Sequence, residues 1–183
     1  SGETFHYRWN SHVFAAQGYV VASVNYHGSS GFGYAFLDSI THRWGELELQ
    51  DIEAATDALL KRPYVDKRRI FASGGSYGGY ASLQGMVKDP DLFKCANSFI
   101  AVTDLFTLQN YAGSDTSRFS DYLETLATKR VGDSKTDREQ FEKTSPARNA
   151  DKIKGKIILT MGAEDIRVPL VHGDQMVTAM QKA

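Results

Sequence analysis

One serine stands in a setting that favours nucleophilic chemistry. Residues 73–80 read Ser-Gly-Gly-Ser-Tyr-Gly-Gly-Tyr and contain G-x-S-x-G, with Gly74 two positions before Ser76 and Gly78 two positions after it. In a nucleophile elbow the chain turns sharply from a strand into a helix and holds the serine in a strained conformation. Side chains at the two flanking positions would collide, so glycine is expected at both. The turn would expose the Ser76 hydroxyl and aim the N–H of Tyr77 at a developing oxyanion.

An elbow serine needs an acid and a base, which in this class follow it in the order Ser, Asp or Glu, His. The acid is expected just after a later strand. Residues 156–161 predict such a strand, and the loop after it carries Glu164 and Asp165. Either carboxylate could orient an imidazole.

The general base is harder to place. Of the five histidines, only His172 follows these acids, and it comes just seven residues after Asp165, in the first turn of the last predicted helix. A surface histidine is the expected interpretation there, and we predict that the general base lies outside this chain. The other four histidines precede Ser76, against the expected order: His6, His12, His27 and His42.

Other chemistries fit the sequence less well. Residues 73–80 lack the Gly-Lys-Ser/Thr ending of a phosphate-binding loop. Gly31-Phe32-Gly33 is followed by Phe36, where a dinucleotide fingerprint needs Gly or Ala. The single cysteine, Cys95, excludes an internal disulfide and a multi-cysteine zinc site, and no H-E-x-x-H occurs. The sequence therefore predicts no metal site and no cofactor.

Alternating strand and helix patterns must position these residues. Three apolar segments are typical of strands buried on both faces: 19–26, 70–73 and 157–161. A fourth candidate strand, 95–102, is more mixed in character. Four segments have helical periodicity: 5–17, 46–62, 77–88 and 170–182. The polar stretch 104–149 is helical in tendency and predicts an elaborated crossover. This alternation indicates an α/β fold with a parallel sheet.

Composition limits the partners. The chain has 183 residues, of which 42% are hydrophobic and 23% charged, as expected for one globular domain. With 21 basic against 22 acidic residues, it has no positive excess to neutralise phosphates, so nucleic acid is not an expected partner. No apolar run approaches the roughly 18 residues of a membrane span.

Four sequence blocks, in order, resemble one family. Residues 74–80 look like the nucleophile motif of the prolyl oligopeptidase family of serine peptidases, in particular its dipeptidyl-peptidase and acylaminoacyl-peptidase branches. Residues 25–33, Asn-Tyr-His-Gly-Ser-Ser-Gly-Phe-Gly, resemble that family's strand-end segment, which usually has Arg where His27 stands. Trp44-Gly45 with Asp51, and residues 165–169, Asp-Ile-Arg-Val-Pro, match further blocks. The resemblance covers nearly the whole chain.

The resemblance implies an α/β-hydrolase fold, with a central, mostly parallel sheet flanked by helices and incomplete at both ends. It implies that Ser76 is the nucleophile, that Asp165 rather than Glu164 is the triad acid, and that Tyr77 supplies an oxyanion-hole N–H. Arg167 stands where related enzymes bind a substrate carbonyl. The implied partner is a short peptide substrate, and association between copies of the chain is left open.

It also implies that residues 1–183 are the middle of a catalytic domain, preceded by further strands and a β-propeller and followed by the segment with the catalytic histidine. The absent upstream strand would lie between segment 19–26 and strand 70–73 and would leave a gap in the sheet. The chain alone is therefore expected to be inactive or nearly so.

Two other functions remain as alternatives. A carboxylesterase or lipase would have the same elbow and triad, but stretch 104–149 lacks the apolar character of a lipid-facing lid. A non-catalytic, hydrolase-like interaction module would have lost its base. Intact Ser76, Gly74 and Gly78 argue against such decay.

Overall fold

A three-stranded parallel sheet, in the order β1-β2-β3, forms the centre of the fold and is flanked by helices. The computed structural model describes residue 7, residues 10–110 and residues 128–183. The strands are β1 (Phe71–Gly75), β2 (Cys95–Phe99) and β3 (Lys156–Thr160). The helices are α1 (Ser11–Ala15), α2 (Tyr34–Asp38), α3 (Leu47–Leu60), α4 (Tyr77–Lys88), α5 (Leu105–Asn110), α6 (Arg138–Lys143), a 3₁₀ helix (Pro146–Lys152) and α7 (Val171–Lys182).

The carboxyl ends of the three strands are level. Gly75 pairs with Phe99, and Phe99 pairs with Thr160. Backbone bonds continue one residue further, because the Ser76 N–H donates to the Phe99 carbonyl at 2.8 Å and the Ile100 N–H to the Thr160 carbonyl at 2.7 Å. The loops that leave the three strands therefore all begin at the carboxyl end of the sheet, where α/β proteins place their sites.

Helix α4, which joins β1 to β2, is the most buried element. Nine of its twelve residues, Gly79 to Val87, are buried. A helix that is covered on nearly all sides needs small or apolar residues all round, and the α4 sequence has them. It shares one core cluster with β2, the 3₁₀ helix and α7: Leu83, Met86, Phe93, Ala96, Ala101, Ala150 and Met176.

Most predicted elements are confirmed. Strands 70–73, 95–102 and 157–161 correspond to β1, β2 and β3, and three of the predicted helices correspond to α3, α4 and α7. The helix predicted over 5–17 includes positions outside the described residues. Within the described residues the helix there is α1, Ser11–Ala15. The described parts of stretch 104–149 contain α5, α6 and the start of the 3₁₀ helix; residues 111–127 lie outside the description. Among the described residues no helix is long and apolar enough to cross a bilayer.

The predicted strand at 19–26 is wrong, since the segment forms no strand. It nevertheless runs beside β1. The ring of Tyr19 lies 6.5 Å from that of Phe71 at the start of β1, and the ring of Tyr26 lies 6.0 Å from that of Tyr77, just past its end. Tyr19 and Phe71 are 48% and 47% exposed, which is far from the two-sided burial that the apolar pattern predicts. Without a paired neighbour, an extended segment has no ladder.

Candidate active site

Ser76 occupies a sharp corner between β1 and α4. Its φ of 56° and ψ of −117° lie in a region that residues other than glycine rarely adopt. Both of its peptide groups are held, because its N–H donates to the Phe99 carbonyl and its carbonyl accepts from the Tyr80 N–H at 3.0 Å. The side chain is exposed. This is the turn that the G-x-S-x-G spacing predicts.

The glycines around the corner differ in their roles. A methyl group on Gly74 would lie 2.5 Å from the carbonyl oxygen of Gly78, so only glycine fits at position 74. The same addition at Gly78 meets no described atom within 4 Å outside its own helix, so the expected collision there is wrong. A methyl group on Gly79, a position that carried no separate prediction, would lie 2.9 Å from the Phe99 carbonyl oxygen. Gly79 thus lets α4 approach β2.

Tyr77 is the first residue of α4, so its N–H belongs to the unpaired N-terminal turn of a helix. Its side chain is held from several sides. The ring meets that of Trp44 edge-on at 4.6 Å between centroids, and its hydroxyl donates to Oε1 of Glu48 at 2.6 Å. Burial, together with the Glu48 carboxylate, raises the pKa of Tyr77, which therefore remains a donor at any ordinary pH.

The loop after β3 distinguishes the two candidate acids. The backbone N–H groups of Arg167 and Val168 both donate to Oδ1 of Asp165 at 2.9 Å, which fixes the orientation of that carboxylate. Asp165 is half-buried, whereas Glu164 is exposed. The arrangement favours Asp165 as the oriented carboxylate. Arg167 is exposed on the same loop.

His172 is buried, with 1% of its surface exposed, so the expectation of a surface histidine is wrong. The Thr103 N–H donates to its Nδ1 at 3.2 Å, and the Thr103 hydroxyl donates to its carbonyl at 2.7 Å. Burial lowers the pKa of His172 to about 4. A neutral, enclosed imidazole that joins α7 to the loop after β2 is a packing group.

His27, which stands where the resembled family usually has Arg, has a defined partner. Both its N–H and its Nδ1 lie 2.7 Å from Oδ2 of Asp51 in α3. Its ring also packs against that of Phe36 in α2, with 4.6 Å between the centroids and 33° between the ring planes. The pair therefore ties the loop that begins at residue 27 to two helices.

Two residues near the corner were missed from the sequence. Glu48, in the first turn of α3, is completely buried against Tyr77. The available signal was its spacing, because it lies four positions before Ile52 and so falls on the apolar stripe of the helix. Ile100, directly after β2, has a φ of 44°, which is unusual for a β-branched residue and gave no signal in the sequence.

Comparisons with known proteins agree on one family. The model of the prolyl oligopeptidase family matches residues 5–183. Dipeptidyl aminopeptidase BIII of Pseudoxanthomonas mexicana is 34% identical over 98% of the chain and 26% of its own length. An acylaminoacyl peptidase structure from Pyrococcus horikoshii superposes with a TM-score of 0.76 at 29% identity, and covers 87% of this chain and 25% of that one.

One relative differs in its stated activity. Inactive dipeptidyl peptidase 10 of Rattus norvegicus is 27% identical over 99% of the chain and 21% of its own length. The chain spans about a quarter of the length of the relatives it matches.

Proposed function

Because the chain belongs to the prolyl oligopeptidase family, we propose that the protein containing it is a serine peptidase that hydrolyses short peptides through a Ser-Asp-His triad and an acyl-enzyme. The parallel sheet and flanking helices are those of an α/β-hydrolase fold. The observation that carries the proposal is the position of Ser76, which is exposed at a strained strand-to-helix corner at the carboxyl end of the sheet. Strain of this kind persists where the surrounding structure imposes it, and it is concentrated at functional sites.

In the proposed reaction the Ser76 oxygen attacks a peptide carbonyl carbon while its proton passes to a histidine. The tetrahedral intermediate then collapses, the peptide C–N bond breaks, and the histidine gives the proton to the leaving amine. Water hydrolyses the resulting ester by the same two steps and restores the Ser76 hydroxyl. No cofactor enters this sequence.

The Tyr77 N–H is our candidate for one oxyanion-hole donor. It stands at the N-terminus of α4, where unpaired N–H groups and the helix dipole favour negative charge. Such a donor acts on the charge that develops in the transition state, and losing one costs on the order of 10²–10³ in kcat.

Asp165 is proposed as the acid that holds the imidazole in the required tautomer. The two N–H donors on its Oδ1 would hold the carboxylate in a fixed orientation. The base itself is assigned to a histidine outside residues 1–183, because His172 is enclosed and bonded to Thr103. We accordingly propose that residues 1–183 are the central part of the catalytic domain; the resemblance to the family implies a β-propeller elsewhere in the protein.

Arg167 is proposed to bind a substrate carbonyl. Its side chain is exposed on the Asp165 loop, two residues after the acid, and a guanidinium can donate to a peptide oxygen there. A role in binding predicts that Arg167→Ala raises KM for peptide substrates more than it lowers kcat.

A fluorophosphonate probe on the full-length protein tests the nucleophile. We expect covalent labelling that is abolished by Ser76→Ala and retained in the matched control Ser73→Ala, which removes another exposed serine, in the middle of β1. Asp165→Asn should slow labelling strongly, whereas Glu164→Gln should not. Labelling that survives Ser76→Ala would contradict the proposal.

Substrate comparison separates the alternatives. A peptidase should cleave aminoacyl-proline or acyl-peptide anilides, whereas a carboxylesterase would hydrolyse only p-nitrophenyl esters. Absence of any Ser76-dependent labelling would favour the alternative of a non-catalytic interaction module. An inactive relative of similar sequence is a precedent for that alternative.

A further inference from the structure

A buried carboxylate lies next to the nucleophile corner and is unused in the reaction above. Glu48 has 0% of its surface exposed. Its Oε1 accepts two hydrogen bonds, from the Tyr77 hydroxyl at 2.6 Å and from the Gly45 N–H at 2.5 Å. Its Oε2 is buried with no hydrogen-bond partner among the described residues. Burying a carboxylate with incomplete pairing is costly, so a stabilising role alone does not explain it.

The two donors on Oε1 belong to different elements. Gly45 lies in the turn before α3, where its φ is 84° and an added methyl group would lie 2.5 Å from the Tyr80 hydroxyl. Tyr77 is the first residue of α4. Trp44, the neighbour of Gly45, packs edge-on against the Tyr77 ring. One oxygen atom of Glu48 therefore joins the entry of α3 to the entry of α4.

We propose that Glu48 is a positioning residue for the nucleophile corner, which acts by holding the Tyr77 side chain and thereby the Tyr77 N–H in the place an oxyanion would need. The inference rests on the proposed function, because it gives Glu48 a role in that reaction. Glu48 is enclosed and acts only through Tyr77. Geometry matters at this scale, since a shift of 1 Å in a catalytic group can cost about 10² in rate.

The Tyr77 hydroxyl is a dependable donor to Glu48. Burial, together with the nearby carboxylate, keeps this phenol protonated throughout the working pH range. Loss of the phenol proton therefore does not break the contact as the pH rises, and Tyr77→Phe should leave the alkaline limb of the pH–rate profile at the same pH.

The test uses the full-length protein with Tyr77→Phe, Glu48→Gln and Glu48→Ala. The matched control is Tyr80→Phe, which removes another buried phenol hydroxyl from α4, one bonded to the Thr144 carbonyl at 2.9 Å and not to Glu48. The readouts are kcat and KM on a peptide anilide, the inhibition constant of a peptide aldehyde that adds to Ser76, and the melting temperature.

We expect Tyr77→Phe to lower kcat about tenfold with KM nearly unchanged, and to weaken aldehyde inhibition by the same factor, because both report the oxyanion site. Glu48→Gln keeps an acceptor oxygen and should retain most of kcat, whereas Glu48→Ala should lose at least as much as Tyr77→Phe. Tyr80→Phe should lower the melting temperature without changing kcat. If Glu48→Ala fails to fold, Tyr77→Phe and Glu48→Gln decide.

Equal effects of Tyr77→Phe and Tyr80→Phe on kcat would overturn the inference and leave Glu48 as a structural residue. So would a loss of aldehyde affinity no larger than the change in KM. These results leave the proposed function intact, because wild-type turnover would still depend on Ser76. Absence of Ser76-dependent turnover in the wild type would overturn the proposed function, and the inference with it.

Discussion

Ser76 keeps an unfavourable backbone conformation because its surroundings leave it no other. A non-glycine residue in such a region costs of order 1–3 kcal/mol. The bond from its N–H to the Phe99 carbonyl and the close approach of Gly74 to Gly78 fix the chain on both sides of it. The corner is therefore the place where small changes in volume should have large effects.

Gly74→Ala should destabilise the domain by about 3 kcal/mol or more, because the new methyl group meets backbone that cannot move without opening the corner. Gly78→Ala should be neutral or slightly stabilising, since space is open there and alanine favours helix. Denaturant unfolding of the two variants, compared with the wild type, measures both effects. Equal destabilisation by the two substitutions would contradict the asymmetry seen at the corner.

Burial of His172 makes stability depend on pH. Its pKa falls from 6.5 to about 4 on folding, so between these pH values the imidazole is protonated in the unfolded chain and neutral in the folded one. The titration of His172 costs no free energy of unfolding above pH 6.5. As the pH falls from 6.5 toward 4, it lowers the free energy of unfolding progressively, by about 2 kcal/mol at pH 5.

The substitution His172→Asn, whose amide oxygen can still accept the Thr103 N–H, should remove that share of the acid sensitivity. The free energy of unfolding at pH 7.5 and pH 5 measures it. Met176→Leu, a change of a buried side chain in α7 that carries no titratable group, is the control and should leave the difference between the two pH values unchanged. The same loss in His172→Asn as in the wild type would place the titrating group elsewhere.

At the residue scale, sequence reasoning succeeds at two positions of the elbow and fails at Gly78, where the same steric rule predicts a collision that the structure does not have. The steric need for Gly74 and the turn at Ser76 follow from five consecutive residues. It fails for Glu48 and His172, because their partners, Tyr77 and Thr103, are 29 and 69 positions away along the chain. Contacts of that range depend on how elements pack, and no spacing rule reveals them.

At the scale of elements, the side of β1 that faces away from β2 has backbone groups available for pairing with another strand. The Ile70 carbonyl and the Ser76 N–H both bond toward β2, so by alternation the N–H groups of Phe71, Ser73 and Gly75 point away from it. Segment 19–26 runs alongside without pairing. Among the described residues no strand pairs with this side of β1, and an unpaired edge of this kind is a liability that proteins cover.

We predict that, in the full-length protein, a further strand lies between segment 19–26 and β1. Hydrogen exchange should then show the amides of Phe71, Ser73 and Gly75 as protected as those of Ala72 and Gly74, which face β2 and serve as the internal control. Exchange of the first three at the rate of exposed loop amides would show that the edge stays open.

The same segment shows why some elements escape sequence reasoning. Its apolar run has the composition of a buried strand, as do β1 and β3. A pattern of side chains reports the expected burial of a segment, but a strand exists only where a neighbour completes the hydrogen bonds. Strands β1, β2 and β3 are one another's neighbours, and this is why their prediction is confirmed while that of 19–26 is not.

At the scale of the whole molecule, catalysis should depend on parts of the protein beyond residues 1–183. We place the base in such a part, and removing the base of a serine triad costs about 10⁶ in kcat. That factor corresponds to roughly 8 kcal/mol of activation free energy. The remaining oxyanion donor and binding contacts would supply at most ~10³–10⁴ over water.

The polypeptide 1–183 should therefore show no measurable hydrolysis of a peptide anilide and no fluorophosphonate labelling on the timescale on which the full-length protein is labelled completely. The full-length protein with Ser76→Ala sets the background, and circular dichroism of the shorter polypeptide shows whether it has folded. Loss of activity in a folded 1–183 would assign the missing chemistry to the absent base, whereas an unfolded 1–183 would show that the rest of the protein is needed for folding. Ser76-dependent labelling of 1–183 at the full-length rate would instead mean that the base lies within these residues, and the assignment of the triad would have to change.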